Sequence, residues 1–334
     1  MPELVSILIP AYNAEKWIGE TIRSALNQTW TRTEIIIVDD GSSDGTAEIA
    51  RSFKGSSLKV ITQQNAGPCV ARNAAYALSQ GDFIQWLDAD DLLATDKIQR
   101  QIQYAEGGGN GKVLLSSACG TFYYSLKRAR FEPTSVWQDL GPKDLLVQKF
   151  TQNAHIVLHS WLVSRTLTEL AGPWDVRLQK TDADGEYSCR LVRASERVLF
   201  VPEARCYYRK GLSGSLSATR TNIEDEELLL KLLFDHLLSL EDSSETRDAC
   251  MSWLKIWASS YYPVSRETVD VISTMAGYLD RPITSVSLSK KFYITEKLLG
   301  WQTARALQST VGRTRILVKK YSDKLLDLLT RSQN

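Results

Sequence analysis

Four short apolar runs, residues 5–9, 35–38, 58–62 and 83–87, punctuate the first ninety positions, each partly β-branched and each ending in polar or turn-forming residues. They predict four strands. Between the first two, Ile18, Ile22, Ala25 and Leu26 recur at the spacing of a helix with one buried stripe. Asp44 is placed to cap a second helix carrying Ala47, Ile49, Ala50 and Phe53, and a third is expected over residues 70–78. Strands that are continuously apolar, alternating with helices, imply a mostly parallel sheet covered on both faces, an open α/β fold.

In such sheets ligands lie beyond the carboxyl ends of the strands. Here those ends run into Pro10-Ala11-Tyr12-Asn13, Asp39-Asp40-Gly41-Ser42, Gln64-Asn65-Ala66-Gly67 and Asp88-Ala89-Asp90-Asp91, which should converge on one edge. Beyond residue 95 the pattern loosens. A glycine-rich turn at 107–111 precedes a strand near 113–117, residues 184–195 read as helical, 197–208 as extended, and 211–217 as a Gly/Ser loop suited to ordering over a ligand. Leu228 to Leu230, Leu232, Leu233, Phe234, Leu237 and Leu238 make a helix apolar around most of its circumference, so a boundary is placed near residue 220.

The 334 residues suffice for one large or two ordinary domains. A formal charge of +1 argues against a nucleic-acid partner. Five cysteines without a CxxC pair fit reduced thiols and a cytoplasmic setting better than a disulfide framework. The start, MPELVSILIP, lacks the positive charge of a signal peptide, and no apolar run is long enough to span a bilayer.

Asp88, Asp90 and Asp91 fall within four residues, and carboxylates that close repel one another unless a cation is present. A hard divalent ion, Mn2+ or Mg2+, resolves the repulsion and suits a diphosphate; the alternative is that Asp90 or Asp91 merely caps a helix beginning near Ala94. Asp39 and Asp40 before Gly41 suit a tight turn. Taken with Arg72 and the ring of Tyr12, they also make a nucleotide pocket.

The segments VSILIPAYN (5–13), IIIVDDGSSDGT (35–46), NAGPCVARN (65–73) and WLDADD (86–91), in that order and spacing, resemble the family-2 glycosyltransferases of the GT-A fold. The stretches 159–178 and 184–191 resemble the acceptor-side half of the same enzymes. The resemblance implies a GT-A domain over 1–220, with a nucleotide-sugar half (1–95) and an acceptor half (96–220), followed by a helical region over 221–334. It implies inverting transfer of a sugar from a nucleoside-diphosphate sugar to a hydroxyl on a glycan or lipid-linked glycan. Asp39 and Arg72 would hold the base beside Pro10, Ala11, Tyr12 and Asn13. Asp88 would sit near the ribose, and Asp90 would ligate the metal with support from Asp91.

The family's catalytic base belongs to a Glu-Asp pair; here Asp184 takes the aspartate position and Ala183 the glutamate position, leaving Asp182 and Glu186 as rivals. A hydroxyl acceptor needs a carboxylate to take its proton, although Asp184 also suits a helix cap. Trp161 and Trp174 are weak acceptor-site candidates beside the alternative of core packing. Arg209, at the mouth of the Gly/Ser loop, suits either a diphosphate or a surface ion pair, and His155 and His159 read as ordinary packing. Between 281 and 334, eleven basic residues against three acidic ones, interleaved with apolar positions, suggest amphipathic helices. These would pack on the transferase, form a homodimer, or touch the inner face of an anionic membrane. A sugar nucleotidyltransferase or a non-catalytic scaffold of the same fold are the rival readings.

Overall fold

The computed structural model describes residues 2–105, 111–211, 222–260 and 266–282, with isolated positions at 310, 314, 320, 321 and 324. In chain order the strands are β1 (Val5–Ala11), β2 (Thr33–Asp39), β3 (Leu58–Thr62), β4 (Phe83–Trp86), β5 (Leu92–Leu93), β6 (Val113–Phe122), β7 (Arg130–Phe131), β8 (Val163–Ser164) and β9 (Arg197–Arg209). The helices are α1 (Ile18–Leu26), α2 (Thr46–Ser52), α3 (Pro68–Ala77), α4 (Lys97–Ala105), α5 (Pro142–Gln152), α6 (Arg165–Ala171), α7 (Ala183–Ala194), α8 (Ile223–Leu238), α9 (Ser244–Ser260) and α10 (Arg266–Tyr278). One sheet runs β3-β2-β1-β4-β8, parallel except for β8; a second runs β5-β9-β6-β7. An isolated bridge from Leu115 to Leu162 connects β6 to the chain just before β8.

The continuous apolar strands serve two cores at once. Val5, Ile7, Ile9, Ile35 and Ile37 point to the side of α1, α2 and α4. Leu8, Ile36, Val38, Ile84 and Trp86 point to the side of α3, α5, α7 and the C-terminal helices. Alternate residues of one strand face opposite ways, so only a strand covered twice needs both sets apolar. The second core extends without interruption to Leu230, Phe234, Leu254 and Leu279, and α8 packs its apolar circumference against α7 and α5. The expected boundary near residue 220 lies outside the described residues, and the described helices between 223 and 278 share a core with the sheet.

Three local expectations change. The helix after the acidic loop begins at Lys97, and the short strand β5 intervenes, so neither Asp90 nor Asp91 caps it. The cap of α7 is Asp182, whose carboxylate accepts the Gly185 N–H at 2.9 Å, which leaves Asp184 free of that task. Helix α5, opened by Gly141 and Pro142, was not expected. The Gly/Ser loop and most of the basic C-terminal stretch lie outside the described residues.

Candidate active site

The carboxyl ends of β1, β2 and β4 meet as the α/β pattern requires. Asn13, held at a left-handed φ of 48°, accepts the Ser43 N–H on its side chain at 2.9 Å, while its own N–H donates to Ser42 Oγ at 2.9 Å. This ties the Pro10 to Asn13 segment to the turn after Asp39. Tyr12 stands 55% exposed above it, a free ring face at the cleft.

Asp39 is buried, and its Oδ1 has no hydrogen-bond partner within the protein. An unpaired buried carboxylate oxygen is costly and calls for a donor from outside. Its neighbour Asp40 is structural: it accepts the Ala66 and Gly67 N–H groups at 3.0 and 2.8 Å and the Gln63 amide at 2.7 Å. Gly67 sits at φ +92° with Gln179 against it, where any Cβ would clash. These contacts set the start of α3, and with it Arg72.

Arg72 joins the two halves. Its Nη2 lies 2.8 Å from Asp88 and 3.0 Å from Asp184, and its guanidinium stacks 4.5 Å from the Trp174 ring. Asn73 and the Trp174 backbone exchange two hydrogen bonds, 3.0 and 2.8 Å, fixing that approach. Burial pushes the Asp184 carboxyl up to about 7, with Arg72 opposing the rise and Asp88 and Asp182 adding to it. Burial, then repulsion from Asp88, pushes Asp90 up to about 6. Asp91 is driven well above the carboxylate range by its burial, with His159 opposing.

Carboxylates raised by burial and by one another in this way fit a divalent cation. Ligand atoms of Asp88, Asp91 and His159 lie within 4.8 Å of one another; Asp90 is not of that group. Asp91 lies deeper than the sequence suggested: one oxygen accepts the Arg209 N–H at 2.8 Å, and the other faces His159 Nδ1 at 3.2 Å.

Several expectations are corrected. Trp161 and Trp174 are 1% and 3% exposed; Trp161 fills the core and Trp174 supports Arg72, so neither offers a face to a sugar. Arg209 is neither at a mouth nor on the surface. Its guanidinium lies between Trp17 and Phe122 and donates to Glu20 at 2.7 Å and to the Asp90 carbonyl at 2.9 Å, so it holds the acidic loop. Glu186 is committed to Arg190 and His236, both at 2.8 Å, and Asp182 to capping, so of the three rivals Asp184 is the one that lies beside Arg72. His159 was set aside as ordinary packing, yet it is buried against Asp91; nothing in its spacing from His155 distinguishes it in the sequence.

Residues 6–170, just under half of the chain, match the family model described as glycosyl transferase family 2, and the fold of this part is of the GT-A type. Over 165 residues the chain is 42% identical to the Escherichia coli protein named UDP-Glc:alpha-D-GlcNAc-diphosphoundecaprenol beta-1,3-glucosyltransferase WfgD, a match covering 49% of this chain and 61% of WfgD. Across the first curated relatives the match spans about two fifths to three fifths of their length.

Among solved structures, Staphylococcus aureus TarS 1–349 in complex with UDP-GlcNAc superposes with a TM-score of 0.64 at 19% identity, covering 82% of this chain and 80% of TarS. The mannosyltransferase PcManGT of Pyrobaculum calidifontis, in complex with GDP-Man and Mn2+, gives 0.52 at 16% identity, covering 92% and 87%. Both likenesses concern the fold.

Proposed function

We propose that this cleft transfers a sugar from a nucleoside-diphosphate sugar to a hydroxyl acceptor by a single displacement with inversion. The observation that carries the reading is the Arg72 bridge, which places Asp184 beside Asp88, 96 positions earlier in the chain, at one strand edge. Asp39 supplies the acceptor for a base N–H, its vacant Oδ1 being the group that needs one, and Tyr12 lies against the base. The backbone from Pro10 to Asn13 walls the base site, and Asp88 reaches the ribose.

Asp88 and Asp91, whose ligand atoms come together, would hold Mn2+ or Mg2+ with Asp90 adding negative charge from the same loop, and the ion would supply positive charge for the departing diphosphate. Asp184 takes the acceptor proton as the new bond forms. A carboxyl near 7 is matched to that task at neutral pH, and Arg72 keeps it oriented toward the cleft. Arg209 acts on donor binding only through the loop it fixes. No described helix is long and apolar enough to cross a membrane. A lipid-linked or free glycan acceptor at the cytoplasmic face fits the reading, as does a peripheral or homodimeric role for the basic C-terminal stretch. The test is a thermal-shift panel of nucleoside diphosphates with and without Mn2+, followed by product analysis. One diphosphate should raise the midpoint, more so with Mn2+, and turnover should release that diphosphate and not pyrophosphate. No stabilisation by any of them refutes the reading.

A further inference from the structure

Next to Asp91, the parallel strands β6 and β9 carry Cys119 and Cys206 as register partners. His159 stands between these thiols and the acidic loop. Its Nδ1 lies 3.2 Å from Asp91 Oδ2, and its Nε2 lies 3.9 Å from Cys119 Sγ. The donor atoms of Cys119, His159 and Cys206 all fall within 4.8 Å of one another, and His159 and Cys206 are fully enclosed.

We propose that Cys119, Cys206 and His159 bind one thiophilic divalent ion, Zn2+ by its chemistry, at a site distinct in donor type from the carboxylates of the cleft. The argument is geometric. Zinc bound to sulfur at about 2.3 Å and to imidazole nitrogen at about 2.0 Å in a tetrahedron sets the two donors about 3.5 Å apart. The observed 3.9 Å closes with a shift of a few tenths of an ångström. A carboxylate facing the other ring nitrogen is what orients a metal-bound imidazole, and Asp91 occupies that place. Ser117 Oγ lies 3.8 Å from Cys206 Sγ, an oxygen within reach of a fourth position. Two thiolates and an imidazole select zinc-like ions, whereas the cleft's oxygens select Mg2+ or Mn2+.

Lys97, donating to Gln85 and Gln101 at 2.5 and 2.7 Å, is pulled down to about 7 by burial and can lose its charge beside the ion. Binding is a ligand exchange without oxidation: two metal–sulfur bonds and one metal–nitrogen bond form, and two protons leave the protein. The bound ion would hold His159 against Asp91 and pin the end of β9 that carries Arg209, so it would set the acidic loop from behind.

The test uses the full chain, reduced, stripped of metal and supplied with excess Mg2+, to which Co2+ is added. A thiolate-to-cobalt charge-transfer band with tetrahedral visible bands should saturate at one equivalent and vanish on adding Zn2+. Cys206→Ser and Cys119→Ser should each weaken the charge-transfer band, and replacing both should abolish it. The wild-type spectrum alone refutes the proposal if no such band appears while all five cysteines titrate as free thiols in denaturant. Isolation of a Cys119–Cys206 disulfide, or a band that survives replacing both cysteines, overturns it as well. Glycosyl transfer is read in a separate assay, so failure here leaves that reading standing.

Discussion

Arg72→Ala removes the cation that Asp88 and Asp184 share. Breaking a buried ion pair costs about 3–5 kcal/mol, because a charge is left without its partner. Asp88 and Asp184 are 27% and 39% exposed, and solvent screens part of that cost, leaving roughly 2–3 kcal/mol. Loss of the stacking on Trp174 acts in the same direction. The melting midpoint should fall by roughly 4–10 °C.

The sharper readout is the pH profile. Asp184 serves as base only when ionised, so kcat/KM falls as pH drops through its pKa of about 7. Arg72 favours the ionised form, so its removal moves that acidic limb to higher pH. Arg72→Lys, which restores one charge without the planar fork, should bring the limb part of the way back. The assay is release of nucleoside diphosphate against pH, with the melting midpoint measured on the same samples. A stable Arg72→Ala variant with an unmoved acidic limb would refute the claim that Arg72 acts on Asp184.

Asp39→Ala should weaken nucleoside-diphosphate binding by roughly 10–100-fold, the worth of a hydrogen bond to a charged acceptor, as read by calorimetric titration. An unchanged affinity would place the base elsewhere. Lys97→Met tests the buried amine. The folded pKa of Lys97 lies near 7 against 10.5 for the free side chain, so between those values the unfolded chain binds more protons and stability rises with pH. That rise should be smaller in the variant by urea titration at pH 7 and pH 10, and equal slopes would show that Lys97 stays charged in the fold. Glu186→Gln, within the contact between α7 and α8, should lower the melting midpoint by several degrees while leaving the acidic limb of kcat/KM in place, since Glu186 faces His236 and Arg190. A shifted limb would return it to the list of candidate bases.

The sheet was legible because β1 and β2 are apolar at nearly every buried position, Ser6 being the exception within β1, and their ends carry the polar residues that sheet topology sends to one edge. The order of the motifs was legible for the same reason. What lay hidden depends on contacts between distant segments. Asp184 reads as a cap on paper, and only the Gly185 N–H shows that Asp182 is the one spent there. Arg209 reads as a diphosphate ligand or a surface ion pair until Trp17, Phe122 and Glu20 enclose it. Trp174 reads as a weak sugar-site candidate or a core residue, and Arg72 over its face with Tyr187 stacked 4.0 Å away decides for the core. His159 belongs to no local pattern, because its partners Asp91, Cys119 and Cys206 come from three other segments.

The most direct measurement is of Asp184→Asn, a substitution that keeps the shape and removes the basic oxygen. With Mn2+ and the best nucleoside diphosphate from the thermal-shift panel, the variant should bind as wild type does, within a few-fold, while transfer to the acceptor falls by at least about a hundredfold. Turnover close to wild type would remove the base from this carboxylate and contradict the account.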